Sequence, residues 1–263
     1  MNWKIWSTVI VILLCTWIYF EWPDEKLHLV FCDVGQGDAA LVVLGSFQAL
    51  IDTGAYEDKV LKCLSDHIPF WDRSIELVFL SHSDNDHDGA LGGVKKHYKV
   101  GKEIRNVKEK DVIRYGMLYF EILKGSTNNV LVPMTGSSES NELSVVMKMS
   151  YGEFSALFTG DIDLENELAL LGTGVLRPLQ VLKVSHHGSK YASGVSFLES
   201  VVPKYSIVSV GVKNSYGHPS SDTLMRLDSV GSKVLRTDKL GTIEFVSDGV
   251  EMSVSRSQIS GAK

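Results

Sequence analysis

Ser81-His82-Ser83-Asp84-Asn85-Asp86-His87-Asp88-Gly89 is the stretch on which the fold turns. It follows an apolar run at 75–80 that reads as a strand, so it forms a loop at a strand's end. Loops held by rigid strands are where reactive side chains collect. His82, Asp84, Asp86 and His87 put four candidate ligands within six residues. Imidazole and carboxylate together suit divalent transition metals. A solvated polar turn would account for one histidine, but not for His-x-Asp-x-Asp-His.

Two later motifs have the same form. Phe158-Thr159-Gly160-Asp161 is an apolar strand ending in a carboxylate. Alone, Gly-Asp is also an ordinary turn; beside the first motif, Asp161 becomes a candidate bridge between two metal ions. Lys183-Val184-Ser185-His186-His187-Gly188-Ser189 runs from a strand into a glycine turn. Neighbouring strand residues point to opposite faces. One of His186 and His187 is therefore expected to ligate, while the other hydrogen-bonds nearby or meets substrate.

Around these motifs, short apolar runs alternate with glycine-rich turns. Runs at 27–33, 39–44, 48–51 and 75–80 read as strands, with an amphipathic helix at 56–67 and another beginning near Gly89. Residues 98–140 are the least legible, with a strand or two, such as 117–123, and polar stretches at 125–129 and 137–140. A hairpin at 143–149 and 154–158 follows. Further strands are expected at 181–184, 205–210, 233–235, 242–246 and 252–254, with a helix at 220–227. Strands in two groups with interspersed helices predict an α+β fold of two sheets faced by helices.

The chain has 263 residues and a net charge of −6. A protein that grips nucleic acid tightly carries a basic face, because phosphate neutralisation supplies most of the affinity. Here only weak or transient nucleic-acid contact is expected. Residues 5–22 are apolar apart from Glu21, follow Lys4 and are rich in tryptophan and tyrosine. They read as an uncleaved transmembrane anchor over 1–23, placing the domain at 24–263 on the extracytoplasmic side. Of the three cysteines, Cys32 and Cys63 are expected to be buried as small hydrophobes, with a disulfide between them as the alternative.

The three motifs, in this order, resemble the metallo-β-lactamase fold. More specifically, they are similar to the soluble hydrolase domain of the ComEC family of DNA-uptake proteins. Asp33-Val34-Gly35-Gln36-Gly37-Asp38-Ala39, Asp52-Thr53-Gly54, Asn141-Glu142-Leu143-Ser144 and Asn214-Ser215-Tyr216-Gly217-His218-Pro219-Ser220 carry that likeness, over roughly 27–247. The resemblance implies a four-layer αββα sandwich with metals in a cleft at one edge of the sheets. It does not carry over DNA transport, because that family has many membrane helices beside this domain. Two departures stand out. Asp84 replaces the second histidine of the wider fold's His-x-His-x-Asp-His. No histidine stands before Asp161 where one is usual, and Asn141 lies closest to that place.

The expected ligands are therefore His82, Asp84, Asp161 and Asn141 for one ion, and Asp86, His87, Asp161 and His186 or His187 for the other, with Zn²⁺ or Mn²⁺ as the metal. Hydroxide generated there would attack phosphorus or a carbonyl carbon, with Asp86 and Asp161 central to catalysis. Asp52 is expected to orient a ligand, and Asp38 and Gln36 to do the same or touch substrate. His218 would protonate the leaving group or cap the helix that follows. Phosphodiester hydrolysis is the first expectation. Another ester, lactone or lactam is the second, and a non-catalytic nucleotide-binding or scaffold domain the third.

Overall fold

The computed structural model describes residues 3–20, 23–126, 141 and 143–256. Fourteen strands form two seven-stranded sheets among these residues. The first sheet holds β1 (Leu27–Phe31), β2 (Ala40–Leu44), β3 (Phe47–Ile51), β4 (Ser74–Phe79), β5 (Lys99–Ile104), β13 (Ile243–Ser247) and β14 (Met252–Arg256), in the order β14-β13-β1-β2-β3-β4-β5. The second holds β6 (Val112–Tyr115), β7 (Leu118–Lys124), β8 (Val146–Tyr151), β9 (Phe154–Phe158), β10 (Val181–Lys183), β11 (Tyr205–Val208) and β12 (Lys233–Arg236), in the order β12-β11-β10-β9-β8-β7-β6.

Period-two alternation divides the side chains between layers. Leu27, Leu29 and Phe31 of β1 face the second sheet and join Phe120, Phe158 and Phe245 in the central core. Val30 and Cys32 face outward, under helices α2 (Glu57–His67) and α4 (Leu91–His97); the short helix α3 (Asn85–Asp88) lies between these two in sequence. The outer face of the second sheet is covered by α5 (Leu164–Thr173), α6 (Val195–Val201) and α7 (Ser221–Ser229). The layers are thus helix, sheet, sheet, helix, as the resemblance implied.

Parallel pairing aligns the strand ends that matter. β3 pairs parallel with β4, and β9, β10 and β11 run parallel side by side. Their carboxyl ends open toward one edge of the sandwich, the place where open α/β sheets present loops to ligands.

The structure departs from the sequence reading at several places. β5 and β6 fall in the least legible stretch; only Ile104 of the six residues of β5 is buried, and none of the four of β6, so no hydrophobic alternation marks them. α5 and α6 also went unread. For α5 a signal existed: Asp163 caps its start by accepting from Asn166 N–H, and Gly174 ends it in the left-handed region. The polar stretch at 137–140 and most of that at 125–129 lie outside the described residues.

The expected membrane span is not supported. Trp3–Phe20 forms an 18-residue helix, α1, but no helix among the described residues is long and apolar enough to cross a membrane. At 1.5 Å per residue it measures about 27 Å against a hydrocarbon core of about 30 Å. Lys4 also occupies its first turn.

Cys32 and Cys63 are buried, as expected, but they are also joined. Their disulfide ties the end of β1 to α2 across 31 residues of sequence, with Cα atoms 5.8 Å apart. Closing a loop of that length restricts the unfolded chain. Reduction is therefore expected to lower unfolding free energy by about 3–4 kcal/mol, read from urea denaturation of the same protein with and without a phosphine reductant.

Candidate metal centre

Asp52 follows β3 and sits in the left-handed region, at φ 58°. That turn aims its buried carboxylate back at the loop after β4. Oδ1 accepts from Ser81 N–H at 2.7 Å, and Oδ2 accepts from Ser81 Oγ–H at 2.8 Å. Oδ2 also accepts from His87 Nδ1–H at 2.9 Å. Because a carboxylate can only accept, His87 carries its proton on Nδ1 and turns Nε2 outward.

The same logic fixes two more rings. Ser81 Oγ, its hydrogen committed to Asp52, accepts from His82 Nδ1 at 2.9 Å. The Ser209 carbonyl accepts from His187 Nδ1 at 2.9 Å. In all three histidines Nε2 is the nitrogen left for the cleft.

Asp161 lies between them. Its Oδ1 is 3.3 Å from His87 Nε2, and its Oδ2 is 3.6 Å from His187 Nε2. Asp161 N–H donates to Ser144 Oγ at 3.2 Å, and Lys124 Nζ donates to the Ser144 carbonyl at 2.9 Å, so the carboxylate's approach is braced from β7 and the segment before β8. Asp86 Oδ2 is 3.3 Å from His187 Nε2. The ligand atoms of His82, His87 and Asp161 all lie within 4.8 Å of one another, as do those of Asp86, His87 and His187.

Whether these residues fit metal ions is answered by their unsatisfied atoms. His82 Nε2, His87 Nε2, His187 Nε2, Asp161 Oδ1, Asp38 Oδ1 and Asn141 Oδ1 are buried without a hydrogen-bond partner. Buried polar atoms are ordinarily paired, and each unpaired one costs about 1–3 kcal/mol. Lone pairs gathered in this way are a donor set for cations.

The electrostatics agree. Burial pulls the His187 pKa down, but Asp161 and Asp38 more than offset it and push it up to about 9. Burial likewise opposes the charged form of His87, yet Asp161 and Asp52 hold its pKa well above the ordinary imidazole value. Burial raises the Asp161 carboxyl, but His187 and His87 override it and hold the carboxyl well below the usual range. His82 differs: burial and the neighbouring His87 lower its pKa, which favours the neutral ring that a metal requires.

Of the pair left open by the sequence, His187 enters the cluster. His186, the other candidate for the second ion, has a side chain 33% exposed, with Nε2 3.8 Å from Asp161 Oδ2. The physical reason is not strand alternation. Both residues stand in a 3₁₀ turn (Ser185–Gly188) with left-handed φ of 49° and 54°, which turns one ring in and one to the rim. Gly188 makes that turn possible, since a Cβ there would come within 2.5 Å of Pro219 Cβ.

Asp84 lies at the mouth, 37% exposed, with Oδ2 3.6 Å from His82 Nε2; it belongs to neither trio. Asn141 accepts at its backbone carbonyl from Ser144 N–H at 3.0 Å, which places it beside the His82 side of the cluster. Asp38 is buried, with its N–H donating to the Asp86 carbonyl at 3.0 Å. Gly37 permits that approach, because any Cβ would lie 2.2 Å from the same carbonyl oxygen. Gln36 Oε1 accepts from Gly211 N–H at 3.5 Å. His218 stands at the rim with its ring 5.9 Å from that of His186. Its expected capping role falls to Ser220, whose hydroxyl accepts from Thr223 N–H.

Three contributors were missed. Ser81 links Asp52 to two rings, and Ser144 supports Asp161. Lys183 Nζ pairs with Asp38 Oδ2 at 2.6 Å deep between the sheets. Serines leave no such signal in sequence; a lysine inside the apolar run at 181–184 did. Since Asp52 fixes the His87 tautomer, Asp52→Asn should weaken metal affinity about 10–100-fold, read by metal titration of the metal-free protein.

Residues 32–212 match the model of the metallo-β-lactamase superfamily. The chain is 30% identical to ComE operon protein 3 of Bacillus subtilis, over 89% of this chain and 35% of that protein. It is also 30% identical to competence protein ComA of Neisseria gonorrhoeae, over 85% of this chain and 33% of that one. The chain thus spans about a third of the length of these relatives. Among solved structures, the metallo-β-lactamase fold protein YhfI of Bacillus subtilis aligns with a TM-score of 0.58 at 12% identity, covering 85% of this chain and all of that one. A CmlA β-hydroxylase variant aligns with a TM-score of 0.53 at 12% identity, over 89% and 54%. The second likeness warns that the fold by itself does not fix the reaction. With its family model matched over most of the sandwich, its cluster at the strand ends and its likeness to the ComEC-family competence proteins, this chain belongs to the metallo-β-lactamase superfamily.

Proposed function

We propose that the chain is a metal-dependent phosphodiesterase. The observation that carries this reading is the buried Asp161 carboxylate, set between His82, whose ligand atom lies within 4.8 Å of it, and the trio of Asp86, His87 and His187, whose His187 Nε2 lies 3.6 Å from Oδ2. A carboxylate set between two groups of ligands suits a pair of cations a few ångströms apart, the arrangement that favours in-line displacement at phosphorus. His82, Asp161, Asn141 and Asp84 would hold one ion, and Asp86, His87, His187 and Asp161 the other. Divalent ions held there would supply Lewis acidity, for ionising water near neutral pH and for offsetting charge on the phosphoryl group.

The protein's own part is positional. Asp52, Ser81 and the Ser209 carbonyl accept the Nδ1–H of three imidazoles and so orient each ring with Nε2 toward the cleft, the atom a cation would take in place of a proton. At the rim, burial and then His186 and His187 lower the His218 pKa, so His218 is neutral near pH 7. It can hydrogen-bond a departing oxygen without adding a charge.

The Cys32–Cys63 disulfide supports an extracytoplasmic location, since such bonds persist in oxidising compartments. The exposed apolar side chains of α1, including Trp3, Trp6 and Leu13, support tethering at a membrane surface. Protease added to intact cells is expected to digest the domain; full protection would refute this placement.

Hydrolysis of bis(p-nitrophenyl) phosphate tests the reaction. Turnover is expected to stop with chelator, and in Asp161→Asn and His87→Ala, with loss of bound metal by mass spectrometry in each. Turnover of lactones or other esters alone would replace the phosphodiesterase reading, and no turnover of any substrate would favour a binding domain. Oxygen-rich sites accept manganese, and Asp84 stands where relatives in the wider fold carry histidine. Mn²⁺ is therefore expected to restore activity at least as well as Zn²⁺ at matched free concentration, with Asp84→His shifting the preference toward zinc.

A further inference from the structure

Beside the metal-ligating cluster, the loop 211–218 is built in a way the reaction as described does not use. Asn214 closes its neck. Asn214 Nδ2 donates to the carbonyls of Gly211 at 3.1 Å and His218 at 2.9 Å, while its Oδ1 accepts from His218 N–H at 2.9 Å. At the tip Tyr216 is 70% exposed. Its ring lies nearly parallel to that of His218, 16° apart with centroids at 5.9 Å. His218 in turn meets His186 edge-on at 5.9 Å, and His186 borders Asp161. A run of rings therefore leads from the cluster to solvent and ends on an exposed aromatic face.

We propose that Tyr216 is the stacking platform for an unpaired base of the substrate, a specificity-determining residue beside the scissile phosphate. This rests on the phosphodiesterase reading and narrows its substrate class to single-stranded nucleic acid or free nucleotides, because a base inside a duplex has no face to offer. An isolated exposed aromatic needs no explanation. This one is held by a closed loop and aligned with a ring at the cleft rim. Proteins that bind single strands combine aromatic faces with cations along the backbone. Lys213, exposed in the same loop, supplies one such cation. With a net charge of −6 the chain has no overall cationic surplus to draw phosphate, which leaves more of the affinity to stacking.

The test compares a short single-stranded oligonucleotide with an abasic chain of the same length, using the full-length protein and its Tyr216→Ala and Tyr216→Phe variants. The ratio of kcat/KM for the base-bearing over the abasic substrate is expected to fall roughly tenfold in Tyr216→Ala and to be retained in Tyr216→Phe, the size of effect that one lost base stack produces. A second readout needs no turnover: fluorescence of an oligonucleotide containing 2-aminopurine, without added metal, should be quenched by the native protein and by Tyr216→Phe but not by Tyr216→Ala. Equal loss on both substrates, or quenching that persists in Tyr216→Ala, overturns the proposal. If the native protein cleaves no phosphodiester, the reaction assignment fails, and the quenching comparison alone decides whether Tyr216 stacks a base.

Discussion

A buried carboxylate, Asp52, sets the geometry of the candidate metal centre. It leaves β3 in a left-handed turn and takes hydrogen bonds from the Ser81 backbone, the Ser81 hydroxyl and the His87 ring. Those bonds join the end of β3 to the loop after β4 and fix which nitrogen of His87 faces the cleft. Through the Ser81 hydroxyl they fix His82 as well. A hydrogen bond to a charged acceptor in a buried site is stronger than one between neutral groups, so the loop's shape is held where exposed backbone would wander.

The second requirement is to keep several carboxylates buried together. Asp38, Asp52 and Asp161 are all buried and Asp86 is half-buried, and like charges so close raise one another's energy. Lys183 answers part of this. Its ammonium comes from the second sheet to meet Asp38 on the loop between β1 and β2 of the first, a cross-sheet ion pair at 2.6 Å. The remaining negative field falls on the imidazoles and shows itself in the raised pKa values of His87 and His187. A field that draws protons onto buried imidazoles also draws divalent cations, and the two compete.

Much of the fold could be read along the chain. Strands that cross the middle of each sheet, such as β1, β2, β9 and β11, have continuous or alternating apolar residues and were found. Edge strands β5 and β6 bury too few side chains to leave a pattern, and α5 was passed over although Asp163 and Gly174 bracket it. The helix at 3–20 shows the opposite failure. Apolarity, Lys4 and the flanking aromatics suggest a span, but the helix that forms, Trp3–Phe20, is not long and apolar enough to cross a membrane.

For the site, the sequence determined the chemistry. His82, Asp84, Asp86, His87, Asp161 and the His186–His187 pair are chemically legible because ligands cluster in short loops after apolar strands. Only the tertiary structure decided among them. It placed His187 inside and His186 at the rim because of a left-handed turn that no periodicity encodes. It joined Cys32 to Cys63, brought Lys183 across to Asp38, and set Ser81 and Ser144 under the ligands. These partners are far apart in sequence or are common residues with no local signature. Composition and spacing report what a segment can do, while a bond between two segments exists only once packing has set the distance between them.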